Sequence, residues 1–224
     1  MKQLTDHNNF VYLFFSLVIF LFSAAVIVDF PGSVGDDIFS IITILMLVVS
    51  LRSLKTERTW TKAVYVLIAF SIFSIVLGRF FDHQYASYLI LGTLLIFFTG
   101  SFFSAVKQVL TVGDIDGNKI IGSLSLYMLL GLIWAVIYML LLTIDPQSFS
   151  GVEITSWQQG FSRVVYYSFV TLTTLGYGEI LPTKHVAEFF VYMEAIIGVF
   201  YMAIIVSSLI SLRLSAINSQ KKGK

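Results

Sequence analysis

The chain has 224 residues, 57% of them apolar and 12% charged, with a mean hydropathy of +0.88. A soluble domain runs nearer half apolar and about a quarter charged, so this composition excludes a soluble globular enzyme, a disordered chain and a nucleic-acid binder, and leaves a polytopic membrane protein. Fourteen Lys and Arg against thirteen Asp and Glu give a formal charge of +1, too near balance to point to an anionic partner, and no cysteine accompanies the scattered His7, His83 and His185.

A membrane-crossing helix needs about 20 largely apolar residues. Six runs of this kind, two of them short, cover residues 10–28, 38–54, 63–81, 85–106, 120–144 and 186–212. The first is longer than the core of a secretory signal and more spans follow it, which predicts an uncleaved first helix. The second and third contain Arg52 and Arg79, which must lie near the helix ends, where a long side chain reaches the headgroups. The fourth carries no charged residue between Tyr85 and Val106. Steep voltage dependence needs several charges moving through the field, so this span is not an arginine-based voltage sensor.

Orientation follows from where the cations fall. With the N-terminus inside, eleven of the fourteen Lys and Arg lie on the cytoplasmic side, and only Arg79, Arg163 and Lys184 lie outside. Both termini are therefore expected in the cytoplasm, with 145–185 facing out. The cytoplasmic link before the fifth span contains Asp114-Ile115-Asp116-Gly117-Asn118. Glycine at the fourth position and Ser125 at the twelfth do not fit a calcium loop, so the segment reads as a turn.

The stretch after the fifth span is the informative one. It opens as an exposed loop at Asp145-Pro146, then turns apolar again over 161–173. Thirteen helical residues reach only about 20 Å, too short for a hydrocarbon core of about 30 Å, so the segment enters and must return. Non-helical backbone at that depth is tolerated only where it is buried in protein or lines a watery cavity. The residues that follow are Thr174-Leu175-Gly176-Tyr177-Gly178. Glycines alternating with bulky residues allow successive carbonyls to turn to one side, because glycine adopts positive φ freely. A row of such oxygens can replace the hydration shell of a cation.

The sequence from Thr173 to Pro182, T-T-L-G-Y-G-E-I-L-P, resembles the signature of potassium channels. The outer span, half-length helix and long following span resemble the two-helix pore domain of that superfamily, over about 120–212. The resemblance implies an all-α membrane protein: six spans, a re-entrant pore helix and a tetrameric architecture like that of voltage-gated channels. It also implies a selectivity filter of Thr174, Leu175, Gly176, Tyr177 and Gly178. Leu175 stands for the usual valine and Glu179 for the usual aspartate, the residue that braces the filter from behind in the family. Gly198 occupies the place where the family commonly has its inner-helix hinge glycine. Absence of a voltage-sensor arginine series makes the chain similar to small prokaryotic members.

Other residues complete the expectation. A pore helix running inward points its C-terminal carbonyl end at the central cavity and favours cations there. Its hydroxyls, Ser168, Thr171 and Thr173 with Tyr166 and Tyr167, either hold the filter or bond within their own helix. Glu194 is the one acid well inside a predicted span and needs a partner or a proton. It reads either as a neutral or hydrogen-bonded support behind the filter or as a group coupling pH to gating. Gly198, Met202, Val206 and Ile210 recur every four residues and share a face, which either lines the cavity or packs on the outer span.

The expected organisation is a four-helix membrane domain over 1–107, a linker over 108–119, a pore domain over 120–213 and a short basic tail over 214–224. With only twelve residues after Leu212, no cytoplasmic ligand-binding domain is expected. One filter per chain requires four chains around an axis, hence a homotetramer in the lipid bilayer of the cell membrane. K+ is the permeant ion, held at the filter only, with no other metal, no cofactor, no nucleic acid and no small-molecule substrate. No nucleophile and base pair, metal-ligand cluster or phosphate loop points to an enzyme. The alternatives are a weakly selective cation channel, a potassium transporter with related loops, and a non-conducting membrane module with a vestigial pore.

Overall fold

Where no water reaches the backbone, its polar groups are satisfied only inside helices, and the apolar runs become helices for that reason. The computed structural model of the chain describes residues 9–29, 33–54, 58–80, 83–110, 117–152 and 157–222. Among these, seven α-helices follow one another: α1 (Asn9–Val26), α2 (Ser33–Ser53), α3 (Arg58–Phe80), α4 (His83–Val109), α5 (Gly117–Ile144), α6 (Trp157–Leu172) and α7 (His185–Lys222).

Four stretches among the described residues are long and apolar enough to cross a membrane: Asn9–Val26, Ser87–Val109, Gly117–Ile144 and His185–Ile204. The two short expected runs fall in α2 and α3, whose apolar portions, Ile38–Leu51 and Trp60–Ser74, are shorter than the helices containing them. Arg52 and Arg79 are each the penultimate residue of their helix, the position that two cations on these runs require. Helices extend past the apolar runs in several places. α6 begins at Trp157 instead of 161, and α7 continues to Lys222, through most of what composition alone marks as a tail. Hydropathy locates the apolar part of a helix, whereas the hydrogen-bond ladder runs on through polar turns. Residues 111–116, with Asp114 and Asp116, lie outside the described residues.

In the packing, α5 is the central element: α4 and α1 lie against it from the first half of the chain, α6 and α7 from the second, while α2 flanks α1 and α3 flanks α4. The start of the short helix α6 is keyed into the first half by aromatic rings. Phe161 stands 6.1 Å from Phe20 of α1 and 5.7 Å from Phe39 of α2, and Phe20 is 6.0 Å from Phe98 of α4. Tilted and edge-on rings at these separations add attraction to the burial of their area.

The opposite end of the bundle is tied by amides. Asn118, in the first turn of α5, accepts from the Phe10 amide at 3.1 Å and donates to Asn9 Oδ1 at 2.7 Å. Asn9 donates to Gln108 of α4 at 3.3 Å, and Ser53 of α2 donates to the Asn9 carbonyl. The free amide at the start of α1 is thus capped from another helix. Many hydroxyls within the helices bond to a carbonyl of their own helix, as Ser23, Thr43, Ser74 and Thr93 do, which satisfies them without a partner helix.

Candidate functional site: the loop after α6

Sixteen residues make α6 about 24 Å long, short of the hydrocarbon thickness, and the chain reverses at its C-terminal end. The reversal is a Schellman motif: the Thr174 amide donates to the Thr171 carbonyl at 2.9 Å and the Leu175 amide to the Val170 carbonyl at 2.9 Å. The left-handed position of such a motif is usually glycine, but here it is Thr174, with φ of 61°. A β-branched residue there costs about 1–2 kcal/mol. Left-handed residues then recur at Gly176 (φ 56°) and Gly178 (φ 89°), with Leu175 and Tyr177 between them outside that region. This alternation turns the backbone back and forth every residue, the pattern that places successive carbonyls on one side.

The last carbonyls of α6 are engaged by this turn. Phe169 O accepts from the Thr173 amide at 3.1 Å, Val170 O also accepts from Gly176 at 3.4 Å, and Leu172 O accepts from the Tyr127 hydroxyl of α5 at 3.1 Å. The amides from Thr173 to Gly176 are therefore spent on the helix end, and this part of the loop stands on it as a cap. Thr173 to Glu179 are all exposed in the single chain.

Beyond the loop the chain is clamped to the segment after α5. Phe149–Ser150 (β1) pairs antiparallel with Leu181–Pro182 (β2), Phe149 opposite Pro182 and Ser150 opposite Leu181. Asp145 caps the turn Pro146–Ser148 by accepting from the Gln147 amide at 2.9 Å. Thr183 donates to Ser148 O at 2.9 Å through its amide and to Gln147 O through its hydroxyl. Gly151, at φ 80°, passes so close to the Glu179 carbonyl that a Cβ would lie 1.9 Å from that oxygen. Arg163 donates to the Gly151 carbonyl at 3.1 Å, linking α6 to the same clamp.

The support residues divide. Thr173 bonds within its own helix, to Phe169 O at 2.6 Å. Tyr166 lies near the Glu179 side chain, while Tyr167 is buried between Tyr138 (5.3 Å between centroids) and Phe149 (5.5 Å). Glu194 is fully buried, at 0% exposure, and accepts from the Tyr138 hydroxyl on α5 and lies 2.6 Å from Ser168 Oγ on α6. Gly198 is buried too: a Cβ there would stand 2.6 Å from the Leu172 carbonyl oxygen, so α7 crosses the end of α6 at a separation that only glycine permits. Met202 is half exposed. The side chains of Val206 and Ile210 lie outside the described residues, and the shared face of these four residues is described only at Gly198 and Met202. Tyr138 and Tyr127, both of which reach the site from α5, had no mark in the sequence beyond being polar-tipped residues in an apolar run.

Residues 124–213 match a protein-family model described as ion channel, which takes in most of α5, all of α6 and the loop, and α7 to Arg213. No curated protein matches the chain. Over 124–213 the chain is therefore similar to ion channels, and four helical stretches among the described residues are long and apolar enough to cross a membrane.

Proposed function

We propose that the chain is one quarter of a homotetrameric potassium-selective channel, passing K+ down its gradient through backbone carbonyls of Thr174, Leu175, Gly176, Tyr177 and Gly178. The observation that carries this reading is the run of left-handed residues at 174, 176 and 178 on a loop whose first amides are tied back to the helix below it. Amides so engaged leave the carbonyls as the groups free to meet an ion, and alternating backbone handedness presents them in a row. In this reading α2 and α3 span as well, since 21 and 23 residues give about 31 and 34 Å of helix. Six spans then place both termini in the cytoplasm by the distribution of Lys and Arg, with the clamp of β1 and β2 at the outer mouth.

The test is flux in liposomes carrying the purified protein, with a potassium gradient, a sodium gradient and a Gly176→Ala control. Alanine at φ 56° is strained by about 1 kcal/mol and breaks the alternation. Potassium flux without sodium flux, lost in Gly176→Ala, is the expected result. Equal fluxes of the two ions would instead establish a weakly selective cation channel, for which Leu175 and Glu179 are the residues to exchange; no flux under any condition would favour a non-conducting module.

A further inference from the structure

Ser168 is a hydroxyl that reaches two other helices at once. Its Oγ lies 2.7 Å from the Gly131 carbonyl of α5 and 2.6 Å from Glu194 Oε1 of α7. The second oxygen of Glu194 meets the Tyr138 hydroxyl, so three contacts between oxygens join α5, α6 and α7 at one buried point. Each contact needs one proton. Tyr138 supplies one and Ser168 supplies one, and the Gly131 carbonyl can only accept.

We infer that Glu194 supplies the third proton and acts as a positioning residue: a neutral carboxylic acid that donates to Ser168, while Ser168 donates to Gly131 and Tyr138 donates to the acid's other oxygen. In this arrangement every contact has a donor and an acceptor, and no charge is left in a site with 0% exposure. The alternative, a carboxylate, leaves two oxygens facing each other without a proton at one of the contacts.

Surroundings agree with a neutral group. The side chains that face it are the Tyr138 hydroxyl from α5, Ser168 from α6 and, one ring further, Tyr167. Among the described residues no Lys, Arg or His pairs with it; the ion pairs nearest in sequence, Lys184 with Asp145 and His185 with Glu188, are both exposed. Trp134, Phe149 and Phe190 pack around Tyr138 or its neighbours and hold its hydroxyl in place.

The consequence rests on the channel reading. Glu194 lies four residues, just over one turn, before Gly198, where α7 touches the end of α6 that carries the loop. The lock therefore fixes the base of the loop to the inner helix α7 and the outer helix α5 together, so a displacement of α7 is passed to the loop.

Infrared difference spectroscopy of the full chain in lipid at neutral pH, wild type minus Glu194→Gln, tests the proton itself. The expected result is a carbonyl band of a protonated carboxylic acid in the wild type, shifted when Tyr138→Phe removes the donor. Absence of that band overturns the assignment whether or not the protein conducts, which separates it from failure of the channel reading. Flux tests the positioning role. Glutamine offers one donor and one acceptor in the same places, so Glu194→Gln keeps flux within about twofold of wild type, while Glu194→Ala lowers it about tenfold. Equal flux in wild type, Gln and Ala variants overturns the role, and a Gln variant as defective as Ala overturns the donor pattern.

Discussion

Thr174 and Gly198 are two residues whose backbone, more than their side chain, decides the site. Thr174 sits in the left-handed position of a helix-ending motif that glycine normally fills, and its strain is held by amide bonds from Thr174 and Leu175 to the helix end. Gly198 is required for a different reason, the 2.6 Å approach of a would-be Cβ to the Leu172 carbonyl. The neighbour is backbone at the end of α6 and cannot rotate away. Gly198→Ala is expected to push α7 off α6 and destabilise the protein by about 1–3 kcal/mol. Thermal unfolding in detergent checks this as a midpoint lowered relative to the wild type. At this scale spacing shows that a glycine is present at 198, and the structure adds the close approach that a side chain there would disturb.

Among the elements, α5 has the largest share of work, and little in its sequence announces it. Its apolar residues surround the helix on all sides, which is the mark of a helix buried among others and carries no information about which neighbour lies where. The structure assigns Tyr127 to the end of α6, Tyr138 to Glu194 and Asn118 to the start of α1. The last of these is a joint between the two halves of the chain, since Asn118 bonds both the Phe10 amide and Asn9. Asn118→Ala removes both bonds and leaves the Phe10 amide without its cap, a loss of about 1–3 kcal/mol at a partly buried site. Hydrogen exchange at the first turn of α1 is the sensitive measurement: the Phe10 amide should exchange faster in the variant, with α6 and α7 unchanged. The short helix α6 was legible as an apolar segment, although its polar first turn was not, because Trp157 to Gly160 lack the hydropathy that marked the rest.

For the whole molecule, the open question is what covers the exposed surface of a single chain. The loop from Thr173 to Glu179 is bare, and the outer side of α7 presents Tyr192, Ile196, Val199, Phe200 and Ile204 to its surroundings. Lipid can cover apolar side chains, and in the proposed channel the loop carbonyls would be covered by an ion or water on a closed axis. Four copies of the 25.2 kDa chain are expected when the protein is released from lipid and weighed intact by native mass spectrometry. A monomer as the largest species from intact bilayers would remove the basis for a filter shared between chains.

What the sequence determined by itself was the helical, apolar class of the chain and the position of the candidate loop. Composition pointed to a membrane, apolar length located the runs, a helix too short to cross pointed to a turn at its end, and two glycines around Tyr177 located the candidate loop; each rests on a local property readable in one stretch of chain. What only the tertiary structure decided was partnership. The pairing of β1 with β2, the three-helix meeting at Glu194 and the ring contacts that seat Phe161 all join residues far apart in the chain. In a chain that is apolar on nearly every face, hydrophobic pattern does not distinguish one helix neighbour from another. That choice is made by packing shape and by a few polar atoms which, away from water, must find one another.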